Sequence, residues 1–405
     1  MSSSAAPRVQ GGHARMGVQD VRSSNLATVL AALVRYPTPP SRADLAHRTG
    51  LTRATVSRLV DSLLQSGVLT ELDAAAGRAP GRPATPLVLR RGGVVAIGME
   101  VNVSYLSVVA MDLSGEVLAQ DIQTGDFLTS EPDPVLGRLG RMGRGVLDRL
   151  RDGAVHHAGV TLALPGLVSD SRLIQAPNLG WRDQEPASAL DPDGALGPVR
   201  LFNEATAAAW SSAHRRPGVP AGPEDFLYLS GEAGIGGCLV SGSRPVEGVH
   251  GWAGEIGHLC VDPAGPVCSC GATGCLEAFV GHRYLMEAAG LPATTPTEGL
   301  VESARAGSAR ARDALDIAGR ALGRGIAGAV NILDVFNVVV GGDLAVLHPE
   351  LEAEMHSELD RRTLGPLRVE VETATPGMER LAAARGGALS LLDPITANPA
   401  AHLDL

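Results

Sequence analysis

The pattern of apolar and polar positions predicts three helices within the first 66 residues of the chain. The first helix, Ser24 to Arg35, has apolar residues at the i, i+3, i+4 and i+7 spacing of a buried stripe, namely Leu26, Val29, Leu30 and Leu33. Ser41 is a good N-cap for a second helix, Arg42 to Arg48. After a turn at Gly50, Thr52 caps a third helix that ends near Ser66.

A helix, a glycine turn and a helix with basic and hydroxyl side chains on its leading turns are typical of a helix-turn-helix. Short strands at Val68–Asp73 and Ala84–Leu89 flank an Arg-bearing tip, residues 77–83, and predict a wing that enters the minor groove of DNA. The candidate DNA-contacting residues are Arg42, Thr52, Arg53, Thr55, Ser57, Arg58, Arg78 and Arg82. A three-helix winged fold that contacts other proteins is the alternative.

From Val94 onward, strand-like and helical stretches alternate, which predicts an α/β domain. The predicted strands are residues 94–98, 106–112, 117–120, 160–164, 199–202, 226–230 and 335–340. The predicted helices are residues 135–151, 206–213 and 309–333.

The charge distribution separates the two regions. Residues 1–93 carry twelve Arg and five acids, whereas residues 94–405 carry 22 Arg and 39 acids. The basic N-terminal region of an otherwise acidic chain indicates that only this region binds a polyanion, although a chance excess of Arg is the alternative. The chain has no lysine, which excludes Walker-type phosphate loops and Schiff-base or pyridoxal enzymes. Without a signal peptide or an apolar run of about 18 residues, the chain is predicted to be cytoplasmic, with no membrane partner.

All five cysteines lie between Cys238 and Cys275, a clustering that favours metal binding over a disulfide framework. His258, Cys268, Cys270 and Cys275 provide the three thiolates and one imidazole that complete a tetrahedral shell for structural zinc. One Zn²⁺ per chain is therefore predicted, with no open position for catalysis. A cluster of ordinary buried cysteines is the alternative.

These motifs carry a resemblance to a known family. From about Ser24 to Leu392 the chain resembles the ROK family of repressors, open reading frames and sugar kinases, and in particular its regulators. The most specific motifs are Gly254-Glu255-Ile256-Gly257-His258 and Cys268-Ser-Cys-Gly-Ala-Thr-Gly-Cys275-Leu-Glu277. Weaker matches are Leu164-Pro165-Gly166 and residues 176–181, 234–237 and 340–342.

The resemblance implies an α/β fold in which an N-terminal winged helix-turn-helix precedes an actin-like, hexokinase-like pair of lobes with a sugar in the cleft between them. It divides the chain into a disordered tail (1–23), the winged helix-turn-helix (24–90), a small lobe (94–201 with 380–405) and a large lobe (202–379) that holds the zinc loop and dimer contacts. The residues implied to face the sugar are Gly166, Asn203, Glu204, Glu255, His258 and Glu277. For any one of these carboxylates alone, a solvated surface acid is the alternative.

Kinases of the family bind ATP phosphates with an Asp-x-Gly-Gly-Thr turn, whereas Glu100-Val101-Asn102-Val103-Ser104 stands at this position. Their catalytic Asp, which follows an Asn, is replaced in Asn203-Glu204 by a longer carboxylate, and a misplacement of about 1 Å can cost ~10²-fold in rate. The chain is therefore predicted to bind sugar without being an enzyme. The alternatives are a sugar kinase with a DNA-binding appendage and a DNA-binding protein with a ligand-free dimerisation module.

The resulting hypothesis is a sugar-responsive transcriptional regulator, repressor-like in type, that binds operator DNA as a homodimer or a tetramer. Sugar binding is expected to favour one closure of the lobes and to change the spacing of two DNA-reading heads. The sugar motifs contain no Arg cluster, which favours a neutral sugar, because phosphate is usually clamped by Arg.

Overall fold

The computed structural model describes residues 18–73, 85–150, 156–169, 171–375, 378, 380–403 and 405. The chain forms two compact units, one of residues up to Val88 together with Ile395–Leu405 and the other of Leu89–Pro394. The predicted wing tip, with Arg78 and Arg82, and residues 1–17 of the predicted tail lie outside the described residues. Among the described helices, none has the length and apolar character needed to cross a membrane.

The first unit begins with helices α1 (Val18–Val34), α2 (Arg42–Thr49) and α3 (Arg53–Gln65), followed by a two-stranded sheet of β1 (Leu69–Glu71) and β2 (Leu87–Leu89). The helix α1 begins six residues before the predicted start, within the predicted tail. Its predicted apolar stripe is buried, because Leu26, Val29, Leu30 and Leu33 form the core of this unit together with residues of α2 and α3.

Local chemistry sets the turn between α2 and α3. Ser41 and Asp44 form a reciprocal capping box at the start of α2, and Gly50 ends that helix with a left-handed φ of 71°. The side chain of Thr52 then caps α3 by accepting a hydrogen bond from the Thr55 N–H. The helix-turn-helix predicted from the sequence is therefore present.

The second unit contains the remaining strands and most of the remaining helices. The strands are β3 (Val94–Val101), β4 (Tyr105–Asp112), β5 (Val117–Thr124), β6 (His156–Leu164), β7 (Leu167–Val168), β8 (Leu173–Ala176), β9 (Trp181–Gln184), β10 (Val199–Asn203), β11 (His214–Arg216), β12 (Val219–Pro220), β13 (Phe226–Gly231), β14 (Ile235–Ser241), β15 (Arg244–Pro245), β16 (Asn337–Gly342) and β17 (Glu370–Thr373). The helices are α4 (Pro132–Leu150), α5 (Pro186–Leu190), α6 (Glu204–Ala213), α7 (Glu277–Val280), α8 (His282–Ala289), α9 (Thr297–Arg305), α10 (Ala309–Leu333), α11 (Asp343–Arg362) and α12 (Ala382–Ala397).

The short helix α13 (Pro399–His402) packs on α1 in the first unit. The predicted small lobe includes residues 380–405, whereas the residues from Ile395 onward lie in the first unit. The lobe boundaries themselves stay a prediction.

Two five-stranded sheets with the same topology build the second unit. In the first, an antiparallel meander of β3, β4 and β5 is extended by parallel β6 and β10; in the second, a meander of β13, β14 and β15 is extended by parallel β16 and β17. This repeat of one α/β motif is the arrangement expected of paired lobes, and the predicted fold is confirmed by it.

Helices cover these sheets and fill the space near them. Helix α4 packs on the first sheet, α11 packs on the second sheet and α10 packs on α11, while α6 contacts strands of both sheets. Helix α12 approaches β3 closely, since a Cβ built at Gly98 would lie 1.7 Å from the Ala384 carbonyl oxygen. The helix predicted over residues 309–333 has the observed bounds, whereas α11, α12 and β14 were not predicted.

The close approach at Gly98 generates a stability prediction. Gly98→Ala forces a methyl group into the α12 backbone and is expected to lower the free energy of unfolding by about 3 kcal/mol or more, measured by urea denaturation. The control is Gly145→Ala on α4, where a Cβ meets nothing within 4 Å and helix propensity favours Ala by about 0.8–1 kcal/mol. Equal effects of the two substitutions would contradict the proposed packing.

Candidate functional site

A cleft of about 280 Å³ opens in the second unit, with walls from both sheets and their connecting loops. All six residues predicted to face a sugar line it: Gly166, Asn203, Glu204, Glu255, His258 and Glu277. They come from four stretches of chain that are distant in sequence, so the fold brings the predicted set together. Their contact with a sugar stays a prediction.

Asn203 ties two of these stretches together at the end of β10. Its Oδ1 accepts hydrogen bonds from the backbone N–H groups of Ala205 (2.8 Å) and Thr206 (3.2 Å), which caps α6. Its Nδ2 donates to the Gly166 carbonyl oxygen at 3.0 Å. Gly166 has a φ of 109°, and a Cβ there would lie 2.2 Å from the Gln175 carbonyl oxygen, so the turn requires glycine. Most of the Asn203 amide is therefore used within the protein.

Glu204 is the first residue of α6, and its Oε2 is buried without a hydrogen-bond partner among the described residues. Burial raises the pKa of this carboxyl group to about 8. Glu100 and Glu232 line the same small hollow beside the cleft. Burial raises the pKa of Glu100 to about 7 and that of Glu232 well above its ordinary value. Three neighbouring carboxyl groups therefore favour their neutral forms in this hollow.

Two hydroxyl groups support this carboxyl cluster of Glu100, Glu204 and Glu232. The Tyr105 hydroxyl donates to Glu100 Oε1 at 2.8 Å and lies 3.4 Å from Glu232 Oε1. The Ser107 hydroxyl donates to Glu100 Oε2 at 3.1 Å. Glu100 and Tyr105 belong to the first sheet, whereas Glu232 follows β13 of the second, so the cluster joins the two lobes.

The turn after β3 uses its own polar groups. Asn102 Oδ1 accepts hydrogen bonds from the Ser104 backbone N–H (3.0 Å) and the Ser104 hydroxyl (3.1 Å). The Asn102 backbone N–H donates to the Tyr105 carbonyl oxygen at 2.9 Å. The backbone N–H groups of Asn102 and Ser104 are therefore already paired within the turn.

A candidate metal centre borders the cleft. One donor atom from each of His258, Cys268, Cys270 and Cys275 lies within 4.8 Å of the others. The sulfur atoms of Cys270 and Cys275 are 3.8 Å apart, and His258 Nδ1 is 3.8 Å from the Cys268 sulfur. These four side chains are placed to hold one metal ion. Cys238 and Cys260 are outside this cluster.

The candidate metal centre also positions two acids of the cleft. His258 presents its other ring nitrogen, Nε2, 3.9 Å from Glu255 Oε2. Glu277 is 8% exposed; its Oε1 accepts from the Ser269 hydroxyl at 3.0 Å and its Oε2 from the Ile235 backbone N–H at 3.1 Å. Glu277 therefore links the cysteine loop to the glycine turn before β14, and both carboxylate oxygens already have a protein partner.

Several residues of the cleft were not singled out from the sequence: Gln175, Arg182, Ser230 and Glu232. Gln175 and Arg182 face each other across β8 and β9, a register that no local pattern reveals. Glu232 lies in a turn next to the glycine motif of residues 234–237. From the sequence alone, an acid in such a turn is expected to be an ordinary surface residue. Only the lobe packing places these side chains at the cleft.

The first unit presents a different surface. Thr52, Arg53 and Arg58 are exposed on the leading turns of α3, and Thr55 and Ser57 are half-buried beside them. Arg42 differs from these residues, because its guanidinium pairs with Asp61 at 2.7 Å and with Glu71 at 3.2 Å. These ion pairs join α2 to α3 and β1. The DNA contacts of all these residues stay a prediction.

Comparisons with known proteins agree with this architecture. The ROK family model matches residues 96–393, and the model of the IclR helix-turn-helix domain matches residues 24–73. The xylose repressor of Bacillus subtilis is 27% identical over 378 residues, which are 92% of this chain and 96% of that protein. The DNA-binding transcriptional dual regulator NagC of Escherichia coli is 25% identical over 368 residues, which are 86% of this chain and 88% of NagC.

Solved structures are similar as well. A ROK family transcriptional regulator, a homologue of the Escherichia coli MLC protein, has a TM-score of 0.73 at 22% identity and covers 93% of this chain and 98% of its own. The ROK hexokinase of Thermus thermophilus has a TM-score of 0.60 at 29% identity and covers 73% of this chain and 97% of its own. The resemblance stated from the motifs is confirmed, and the chain belongs to the ROK family.

Proposed function

We propose that this chain is a sugar-responsive, DNA-binding transcriptional repressor that binds a monosaccharide in the cleft without phosphorylating it. The observation that carries the proposal is the combination of a helix-turn-helix unit with a ROK domain in one chain, as in the xylose and N-acetylglucosamine repressors to which it is similar. A regulator needs both a DNA-reading surface and an effector site, and this chain has a candidate for each.

The wall of the cleft suits a hydroxyl-rich ligand. Glu204 and Glu255 offer carboxyl groups that can accept or donate hydrogen bonds to neighbouring hydroxyls, and Asn203 retains one amide N–H. A site built from such groups discriminates strongly against a ligand that lacks a matching hydroxyl, because buried polar groups would then stay unpaired. Glu277 holds the turn that closes the cleft, and we infer a positioning role for it.

The same region disfavours phosphoryl transfer. The turn of Asn102 and Ser104 stands where the family's kinases bind ATP phosphates, and its amides are paired internally. The neighbouring cluster of Glu100, Glu204 and Glu232 places three carboxyl groups and no cation beside this turn, where a triphosphate would need positive charge. The similarity to a ROK hexokinase favours a kinase as the second candidate, but these features of this chain argue against it.

The candidate metal centre fits a structural zinc ion. With Zn–S bonds of about 2.3 Å, the edge of a tetrahedron measures about 3.8 Å, as between the Cys270 and Cys275 sulfur atoms. His258 Nδ1 faces the cysteines, and its Nε2 faces Glu255. Bound zinc would fix the orientation of the imidazole, and His258 would in turn hold Glu255 against the cleft.

Operator recognition would rest on α3, whose exposed Arg53 and Arg58 can reach phosphates or guanine edges. A two-fold operator implies a homodimer or a higher symmetric oligomer. Sugar and operator then affect each other's affinity by the same factor, and a coupling free energy of ~1–3 kcal/mol corresponds to roughly 5- to 150-fold.

The central test measures operator binding with and without sugar. A duplex selected by the protein from a random pool is expected to lose affinity by about 5- to 150-fold when a cognate sugar is added. Glu255→Gln is expected to abolish this response while leaving DNA binding intact. Arg58→Ala should weaken DNA binding and leave the sugar-induced rise in melting temperature unchanged.

Two outcomes would contradict the proposal. One is an operator affinity that no monosaccharide changes, which would favour a ligand-free dimerisation module. The other is formation of a sugar phosphate from ATP by the purified protein, which would favour the kinase.

The metal centre yields a prediction of its own. The purified chain is expected to contain about one zinc ion, and Cys275→Ser should remove it and lower the melting temperature by about 10 °C, since loss of a structural metal costs several kcal/mol. The matched control is Cys260→Ser, because Cys260 is an exposed thiol outside the cluster. Plasma emission spectrometry and calorimetry provide the readouts. Full stability of the metal-free protein would refute a structural role.

The buried carboxyl cluster predicts a pH dependence of stability. Burial favours neutral Glu204, so its contribution is complete below the unfolded pKa of 4.5 and is lost as the pH rises from there through the folded pKa of about 8. At about 1.4 kcal/mol per pKa unit, the free energy of unfolding is expected to fall by a few kcal/mol between pH 5 and pH 9. Glu204→Gln should reduce this fall, measured by denaturant titration at each pH.

A surface acid controls for general effects of pH in that experiment. Glu224→Gln removes an exposed carboxylate of the same unit and is expected to leave the pH dependence unchanged. If Glu204→Gln and Glu224→Gln behave alike, the buried cluster does not govern the alkaline loss of stability.

A further inference from the structure

One basic residue in the wall of the cleft has no role in the proposed function so far. Arg182 lies on β9 and lines the cleft, beside Gln175 of β8. The two residues are register partners on antiparallel strands, and directly opposed residues project to the same face of a sheet. The cleft wall therefore combines a guanidinium group and a side-chain amide at this edge.

The neighbouring acids are not available to neutralise Arg182. Asp183 and Glu185 both pair with Arg172, at 2.8 and 3.6 Å. Asp183 adopts a left-handed φ of 55°, an unusual backbone conformation within β9. Among the described residues, no carboxylate lies within ion-pair distance of Arg182, and Arg182 is exposed. Within the described part of the chain, its five N–H donors have no hydrogen-bond partner and can bind a ligand.

The acids of the cleft lie on other elements. Glu204 comes from α6, Glu255 precedes the 3₁₀ turn at Ile256–His258, and Glu277 begins α7, whereas Arg182 belongs to the small three-stranded sheet of β7, β8 and β9. A ligand that contacts both sets of residues needs hydroxyl groups towards the acids and a group of opposite charge towards the guanidinium. A guanidinium group that lines a ligand site can form two parallel hydrogen bonds with a phosphate or a carboxylate of the ligand.

We propose that Arg182, assisted by Gln175, recognises an anionic substituent of the sugar, so that the effector is a monosaccharide carrying a phosphate or a carboxylate. This inference rests on the proposed function, because it assigns a chemical class to the ligand of the same cleft. It replaces the expectation of a neutral sugar, which rested on the absence of an Arg cluster in the sugar motifs; one of these motifs, residues 176–181, ends one residue before Arg182.

The experiment compares three chemical forms of each sugar. Common aldoses are titrated calorimetrically into the full chain as the free sugar, its terminal phosphate and its uronic acid. At least one anionic form is expected to bind about 10-fold or more tightly than its neutral parent, with an affinity that falls as salt increases. The relative affinities of phosphate and uronate distinguish the two sources of the anion.

Variants then connect the preference to the residue. Arg182→Gln is expected to lose about 10- to 100-fold in affinity for the anionic form and to bind the neutral parent as before. Arg182→Lys should recover part of this loss, since Lys keeps the charge but not the planar pair of donors. Arg91→Gln is the matched control, because Arg91 pairs with Glu116 at 2.8 Å and is not part of the cleft wall.

The outcomes separate this inference from the proposed function. Neutral sugars that bind as tightly as their anionic forms, or an Arg182→Gln variant with unchanged preference, would overturn the role of Arg182 and leave sugar sensing standing. If no sugar binds in any of the three forms, the proposed function itself is wrong, and so is the role assigned to Arg182.

Discussion

The capping of α6 by Asn203 is the constraint on which the cleft depends. One amide satisfies two N–H groups at the start of the helix and holds the Gly166 carbonyl oxygen at the turn after β6. The first helical residue, Glu204, is thereby fixed at the floor of the cleft with Oε2 buried. Since α6 also contacts both sheets, this local interaction sets where the two lobes present their polar groups. Asn203, which was predicted to contact the ligand, thus forms most of its hydrogen bonds with backbone groups of the protein.

Under the proposed function, the buried acids give a physical reason why this chain would bind a sugar without transferring a phosphoryl group. A kinase needs backbone amides and cations around the triphosphate, because its transition state gathers negative charge there. Beside the cleft of this chain lie instead the carboxyl groups of Glu100 and Glu232, bridged by the Tyr105 hydroxyl. Burial raises the pKa of both groups and favours their neutral forms, which pack through hydrogen bonds within the protein. The same contacts tie the lobes together.

The sequence predicted those parts of the structure that depend on local patterns. The candidate metal ligands could be identified because three of them lie within eight residues, and the bounds of α10 followed from a long amphipathic pattern between two clear ends. Arg182 and Glu232 could not be identified, because they reach the cleft through strand register and lobe packing. The ion pairs of Arg42 could not be predicted either, because Asp61 lies 19 residues away in the sequence and contacts Arg42 only when α2 packs on α3.

Two glycines of the family motif at residues 340–342 have a structural role that is independent of any ligand. A Cβ at Gly341 would lie 2.2 Å from the Tyr228 hydroxyl, and one at Gly342 would lie 2.2 Å from the Gly231 carbonyl oxygen. Both positions therefore need glycine for the packing of β16 against β13, whatever ligand the cleft receives. The turn after β3 contains side chains instead of glycine, and Asn102 Oδ1 accepts hydrogen bonds from the Ser104 backbone N–H and hydroxyl. The glycines of the second sheet are thus explained by packing alone, and they do not by themselves indicate which ligand the cleft receives.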